Sequence, residues 1–190
     1  MRPDASPLAA EGYAFDDATL GRGMPAAVEA LIARAGTLPH DPAQAETLLR
    51  EAVALAPQHP APLIALYRFH FYGHRLAAAL AVADEALGVA RAALGPAFGE
   101  PPPTPEQARY DAAVRFYLFT LKGQAYLRLR LGQVDAGRAA LVELRRLDPL
   151  DCVGGAVLAS VLARQGRDED ADVDPPATPA APRGWAEEPV

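Results

Sequence analysis

His70 and His74 stand four residues apart, the spacing at which two imidazoles on one helical face bind zinc in HExxH sites. No Glu follows His70 here, and no third ligand lies nearby in sequence. Gly73 between them is a natural helix terminator, so the pair is expected to pack or to line a groove rather than to bind metal. Cys152 follows Asp151 at an expected helix start, where the macrodipole would favour a thiolate. Asp151 opposes that shift and no His lies close in sequence, so Cys152 reads as a small core residue. His40 and His59 sit beside prolines in expected turns. The run DEDADVD at 168–174 has the charge of a calcium loop but neither its central Gly nor its closing Glu. Neither GxGxxG nor GxxxxGK occurs. The expectation is a non-enzymatic protein without cofactor or metal.

Composition narrows the class of partner. The 190 residues are 51% hydrophobic and 22% charged, enough to bury one core. Ala and Leu dominate and β-branched runs are scarce, which favours an all-α fold. A net charge of -6 argues against a general nucleic-acid binder, which needs a basic surface to displace counterions. Lys122 is the one lysine, so nearly all positive charge is arginine. A single Cys rules out an internal disulfide. No apolar run approaches bilayer length, and the first residues lack a signal-peptide core, so a cytoplasmic protein is expected.

The elements that position these residues are marked by local punctuation. GRGMP at 21–25 is a turn, and a helix runs from Pro25 to about Arg34, stopped by Gly36. Asp41, Pro42 and Gln44 cap the next helix, whose inner stripe is Leu48, Leu49, Ala52, Val53 and Ala56. Pro60 to Tyr72 is a helix ended by Gly73. Its partner runs from Arg75 to about Leu94 with a stripe of Leu76, Leu80, Ala83, Leu87, Ala90 and Leu94. GPAFGEPPP at 95–103 breaks helix, and Thr104-Pro105-Glu106-Gln107 restarts it as a capping box leading to about Leu131. That helix carries two apolar stripes, Tyr110, Val114, Tyr117, Leu121 and Phe116, Phe119, Gly123, Tyr126, and is expected to be buried on two sides. Val134 to Leu147 is its antiparallel partner, and Asp151 is expected to cap a helix from Cys152 to Arg164 that Gly166 ends.

Two prolines, Pro57 and Pro149, each follow a helix and set a common register. Ala45, Leu49 and Ala52 before the first match Gly137, Leu141 and Leu144 before the second. Leu66 and Ala79 after the first match Leu158 and Ala171 after the second, with His74 opposite Gly166 as the one exception. The pattern resembles the tetratricopeptide repeat, a helix-turn-helix unit of ~34 residues. Tyr67 stands where that family has a small residue and Ala83 where it has an aromatic, so the bulk has changed helices. The prolines are 92 residues apart, two such periods and 24 residues more, which places an insertion at 88–115. The resemblance implies a short right-handed superhelix of antiparallel pairs, about three and a half repeats and seven helices. The domain then covers 25–172, between an N-terminal tail at 1–24 and an acidic, Pro/Ala-rich tail at 173–190 expected to be disordered. Tyr13 and Phe15 could anchor the first tail, and Trp185 could serve the second as a short binding element.

In tetratricopeptide arrays the first helices of successive pairs line a concave groove that binds an extended peptide or a helix. Carried onto this chain, the resemblance points to Ile64, Arg68, Phe71 and Tyr72, and around the last pair to Ala156, Ser160, Ala163 and Arg164. On the central helix, beyond the insertion, it points to Thr120, Gln124 and Arg128. Arg68, Arg128, Arg130 and Arg164 could clamp partner carboxylates while Phe71 and Tyr72 anchor. The lysines and asparagines of the family's carboxylate-clamp subtype are missing, so its usual chaperone-tail ligand is not expected. The strings RFHFYGH at 68–74 and RFYLFTLKG at 115–123 are further similar to small tetratricopeptide-type proteins encoded among nitrogen-fixation genes, which implies an accessory role in nitrogenase assembly or protection. The leading expectation is a scaffold that holds another protein or peptide, away from nucleic acid and membrane. The alternatives are self-association through a terminal repeat too short to cap itself, giving a homo-oligomer, and metal handling through His70 and His74. The acidic run at Asp168, Glu169, Asp170, Asp172 and Asp174 could also fold back on Arg138, Arg145 and Arg146.

Overall fold

The computed structural model describes the backbone of residues 23–171 and the side chains of residues 23–163. Among these residues the regular structure is entirely helical, eight helices and no strand. The expected anchors Tyr13 and Phe15, the Trp185 element and the acidic side chains at 168–174 lie outside the described residues.

The first pair is α1 (Ala26–Gly36) and α2 (Pro42–Leu55). Asp41 caps α2 by accepting from the Gln44 N–H at 3.0 Å, and Pro42 at the first position forfeits no hydrogen bond. Val28, Leu31, Leu48, Leu49 and Ala52 close this pair's buried face. The second pair is α3 (Pro60–Tyr72) and α4 (Leu76–Leu94). His59 caps α3 through Nδ1, which accepts from Ala61 N–H. α4 is buried more broadly than one stripe, with Ala79, Val82 and Ala86 inside as well as Leu80, Ala83 and Ala90. Small residues let neighbours approach on both sides of this helix.

The single helix expected from 104 to 131 is two helices, α5 (Pro105–Tyr110) and α6 (Ala112–Arg130). Asp111 breaks it: its backbone is extended (φ -78, ψ 118), and its carboxylate accepts from Val114 N–H at 3.0 Å as the cap of α6. The capping box of Thr104 and Gln107 forms as expected, but on α5. Tyr110 therefore leaves the stripe assigned to it and is 77% exposed. α6 is buried on two sides, through Val114, Tyr117 and Leu121 and through Phe116, Leu118, Ala125 and Leu127. Phe98 meets Tyr117 edge-on, and the Gly99 carbonyl accepts from Arg146, so the 95–103 linker is tied back onto the array.

α6 pairs with α7 (Val134–Leu147), whose Ala140, Leu141, Leu144 and Leu147 are buried. Gly137 admits Leu129 so closely that a Cβ there would lie 2.6 Å from its Cδ2. The last helix, α8 (Ala156–Ala171), does not begin at Cys152. Residues 148–155 form a turn instead, in which buried Asp148 accepts from the N–H groups of Cys152 and Val153, both at 2.9 Å. Cys152 is thus half-buried in a turn and has no helix N-terminus. Asp151 still caps α8, by accepting from Ala156 N–H at 3.0 Å. Gly166, the expected terminator, lies inside α8. The eighth helix beyond the expected seven comes from the break at Asp111.

Candidate partner-binding surface

α3 and α6 lie side by side and run in the same direction, since Tyr67 meets Gly123 and Phe71 meets Tyr126. Gly123 sets how closely they approach. A Cβ there would stand 2.8 Å from the Tyr67 hydroxyl, so only glycine lets that ring lie across α6. Burial holds the Tyr67 phenol above its ordinary pKa.

From this crossing a row of rings extends outward. Tyr67 stacks on Phe71 with centroids 5.7 Å apart, Phe71 tilts against Tyr126 at 5.8 Å, and Tyr72 meets Phe71 edge-on at 5.5 Å. Ala79, Leu80, Ala83 and Leu127 form the apolar floor beneath it. Arg130 lies over Tyr126 at 5.6 Å and donates from Nη1 to its hydroxyl at 2.6 Å. Tyr72 is 62% exposed, a large aromatic surface open at the end of the row. Two turns back on α6, Phe119 carries Arg115 at 5.2 Å and Lys122 at 5.5 Å. Lys122 is buried and donates to the Val153 carbonyl, which fastens α6 to the turn before α8.

Neither α3 nor α6 contains a carboxylate. Between them they bear Arg68, Arg115, Lys122, Arg128 and Arg130, in a chain whose net charge is -6. The described acidic side chains sit on the other helices, as Glu46 on α2, Asp84 and Glu85 on α4 and Glu143 on α7, or in caps and turns, as Asp111 and Asp148. The other described helices mix both signs, as with Arg50 on α2, Arg91 on α4 and Arg146 on α7, so what sets α3 and α6 apart is the lack of a carboxylate.

The residues singled out in the sequence divide between three settings. Phe71 and Tyr72 are part of the aromatic row, with Arg68 half-buried one turn earlier on α3. Ile64 is half-buried and packs against the main core. Gln124 and Arg128 turn toward α4, where both donate to Asp84 Oδ1, Arg128 at 3.3 Å; Thr120 is half-buried on the same helix. On α8, Ala156, Ser160 and Ala163 are exposed, the Ser160 hydroxyl donates to Val157 O, and the side chain of Arg164 is outside the described residues. Tyr126 and Lys122 were not among the groove candidates. The turn after α6 holds the signal that locates them. Gly132 (φ 74) follows α6 as His74 (φ 56) follows α3, and each turn closes with the same pair of backbone hydrogen bonds. Counting back from Gly132 sets Lys122, Tyr126 and Arg130 level with Ile64, Arg68 and Tyr72.

His70 and His74 do not form a four-residue pair on one helix. α3 ends at Tyr72, His74 is exposed in a left-handed turn, and His70 is 1% exposed on the opposite side, toward α2. Its Nε2 stands 3.9 Å from Glu46 Oε1, and neither ring nitrogen has a hydrogen-bond partner among the described residues. Glu46 is held by Arg50 at 2.7 Å and Arg75 at 3.4 Å, and Arg75 lies over the Phe69 ring at 4.2 Å. Burial keeps the His70 pKa below its ordinary value although Glu46 pulls the other way. Among the described residues no three potential ligands of the His, Cys, Asp and Glu types come together, and no helix is long and apolar enough to cross a membrane.

Fold and surface together define an all-α protein of stacked helix pairs with a cationic, aromatic flank. It is 40% identical over 128 residues to an uncharacterized 19.8 kDa protein in the nifW 5′ region of Azotobacter chroococcum mcd 1. The match covers 63% of this chain and 70% of that protein, and the chain belongs to its family. No protein-family model and no solved structure matches the chain.

Proposed function

We propose that the protein is a non-enzymatic, tetratricopeptide-like interaction module of the cytoplasm that holds an acidic segment of another protein against the shared face of α3 and α6. One observation carries this reading: on two neighbouring helices without a carboxylate, a ring row ends in exposed Tyr72 while exposed Arg130 lies over its Tyr126 ring. Guanidinium groups flanking aromatic anchors are what interface hot spots are made of. Arg130 supplies the charge, and Tyr72, Phe71 and Tyr126 supply the apolar contact.

A pull-down from the native host's extract tests it, comparing the parent with a Phe71→Ala, Tyr72→Ala, Arg130→Glu chain of unchanged helical circular dichroism. A specific band that is lost in the variant, and that weakens with salt as exposed charge pairs must, is the expected result. The same proteins bound to both chains would overturn it.

The relative encoded beside nifW favours a more particular version, in which the partner is a component of nitrogenase assembly or protection. Its test is whether the captured band is found only in cells grown under nitrogen-fixing conditions.

A further inference from the structure

α8 packs antiparallel to α7, with Gly155 against Leu144 and Ala159 near Leu141, so it runs in the same direction as α6 and α3. The chain therefore leaves α8 at Ala171 on the side of the molecule where α6 ends in Arg130 and α3 in Tyr72. The remaining sequence, ADVDPPATPAAPRGWAEEPV at 171–190, carries Asp172, Asp174, Glu187 and Glu188 against a single Arg183, and the one Trp of the protein. Helices packed at 8–10 Å put α3 roughly 20 Å from α8. The residues from Ala171 to Trp185 can span roughly 45 Å when extended, so Trp185 reaches the ring row with slack. The outer face of α7 is a poorer match for an acidic segment. It carries Asp135 and Glu143, and Arg146 is already bound to Glu143 and to the Gly99 carbonyl.

We propose that segment 172–190 is the intramolecular occupant of the α3/α6 face, with Trp185 against Tyr72, Phe71 and Tyr126 and the Glu187–Glu188 pair beside Arg130. It rests on the proposed function in one respect, that this face binds acidic, aromatic sequence; the segment then acts as a built-in competitor that a partner must displace.

Because Trp185 is the only tryptophan, its fluorescence in the full chain reads the contact directly. The expected result in the parent is a blue-shifted emission and acrylamide quenching several-fold weaker than that of a synthetic 172–190 peptide. High salt, Tyr72→Ala with Arg130→Glu, and Glu187→Lys with Glu188→Lys each abolish the protection. The last pair is not part of the described helices α1 to α8, so its loss is not read as their unfolding, and combining Arg130→Glu with Glu187→Lys restores part of what each loses. Quenching equal to the free peptide overturns the proposal, as does protection indifferent to both variant pairs. Protection that rises with protein concentration overturns it too, because the occupant is then a neighbour's segment. Two assays keep the two readings apart. An unprotected Trp185 in a chain whose partner capture still needs Tyr72 and Arg130 sinks only the intramolecular contact. A protected Trp185 with no capture of any partner, even after Trp185→Ala, sinks only the partner-binding reading.

Discussion

His70 and His74 entered as one candidate site, and the structure gives them opposite fates. His70 is buried beside Glu46, with its pKa depressed chiefly by that burial. A depressed folded-state pKa means that the unfolded chain binds more protons as pH falls, so the contribution is fully present above the unfolded value of about 6.5 and is lost below it. Urea unfolding midpoints should fall between pH 7 and pH 5, and His70→Leu should flatten that slope; a variant with the parent's slope would place the titration elsewhere. His74 faces solvent at φ 56, a conformation costing a non-glycine residue roughly 1–2 kcal/mol. Glycine returns part of that gain through its larger unfolded-state entropy, so His74→Gly should stabilise by about 0.5–1 kcal/mol. The reverse change, Gly132→His, should destabilise by a similar amount in the same denaturation assay, since the two turns share their hydrogen bonds.

At the scale of elements, α6 organises the molecule: it touches α3, α4, α5 and α7, and Lys122 fixes it to the turn before α8. Its position against α3 depends on the missing side chain of Gly123. Gly123→Ala improves helix propensity by about 1 kcal/mol, yet it drives a methyl into the Tyr67 hydroxyl, and overpacking of that kind costs about 1–3 kcal/mol. The expected outcome is a net loss for Gly123→Ala and a gain once Tyr67→Phe removes the hydroxyl. A double-mutant cycle measures the coupling between them, and additive effects would show that the helices do not approach as described.

For the whole molecule, stability should be graded along the stack. α6 is covered on two sides, whereas α8, among the described residues, packs chiefly on α7 and leaves Val157 and Val161 66% and 40% exposed. Native-state hydrogen exchange should show the amides of residues 157–163 opening at lower free energy than those of α4 and α6. Uniform protection from end to end would mean that something covers α8 in solution, which is where the self-association alternative regains force.

Where capping is local, the sequence alone determined the helices: the ends of α3 and α7 are marked by Pro60, Gly73 and Pro149, and Asp41 announces α2. An all-α array was equally legible, because apolar spacing and the two proline registers act within one or two helices. Three features were decided only by tertiary structure. Asp111 breaks a segment whose apolar stripes run through it and leaves Tyr110 exposed, which periodicity does not show. The Cys152 turn exists because Asp148 is buried to hold two of its amides, a bond pattern that no periodicity reveals. The register of α6 against α3, which puts Tyr126 and Arg130 on the aromatic face and Gln124 and Arg128 on Asp84, is fixed by one glycine and one tyrosine far apart in the chain. Local chemistry specifies where helices start and stop; which of their faces meet is set by the shapes of residues that only folding brings together.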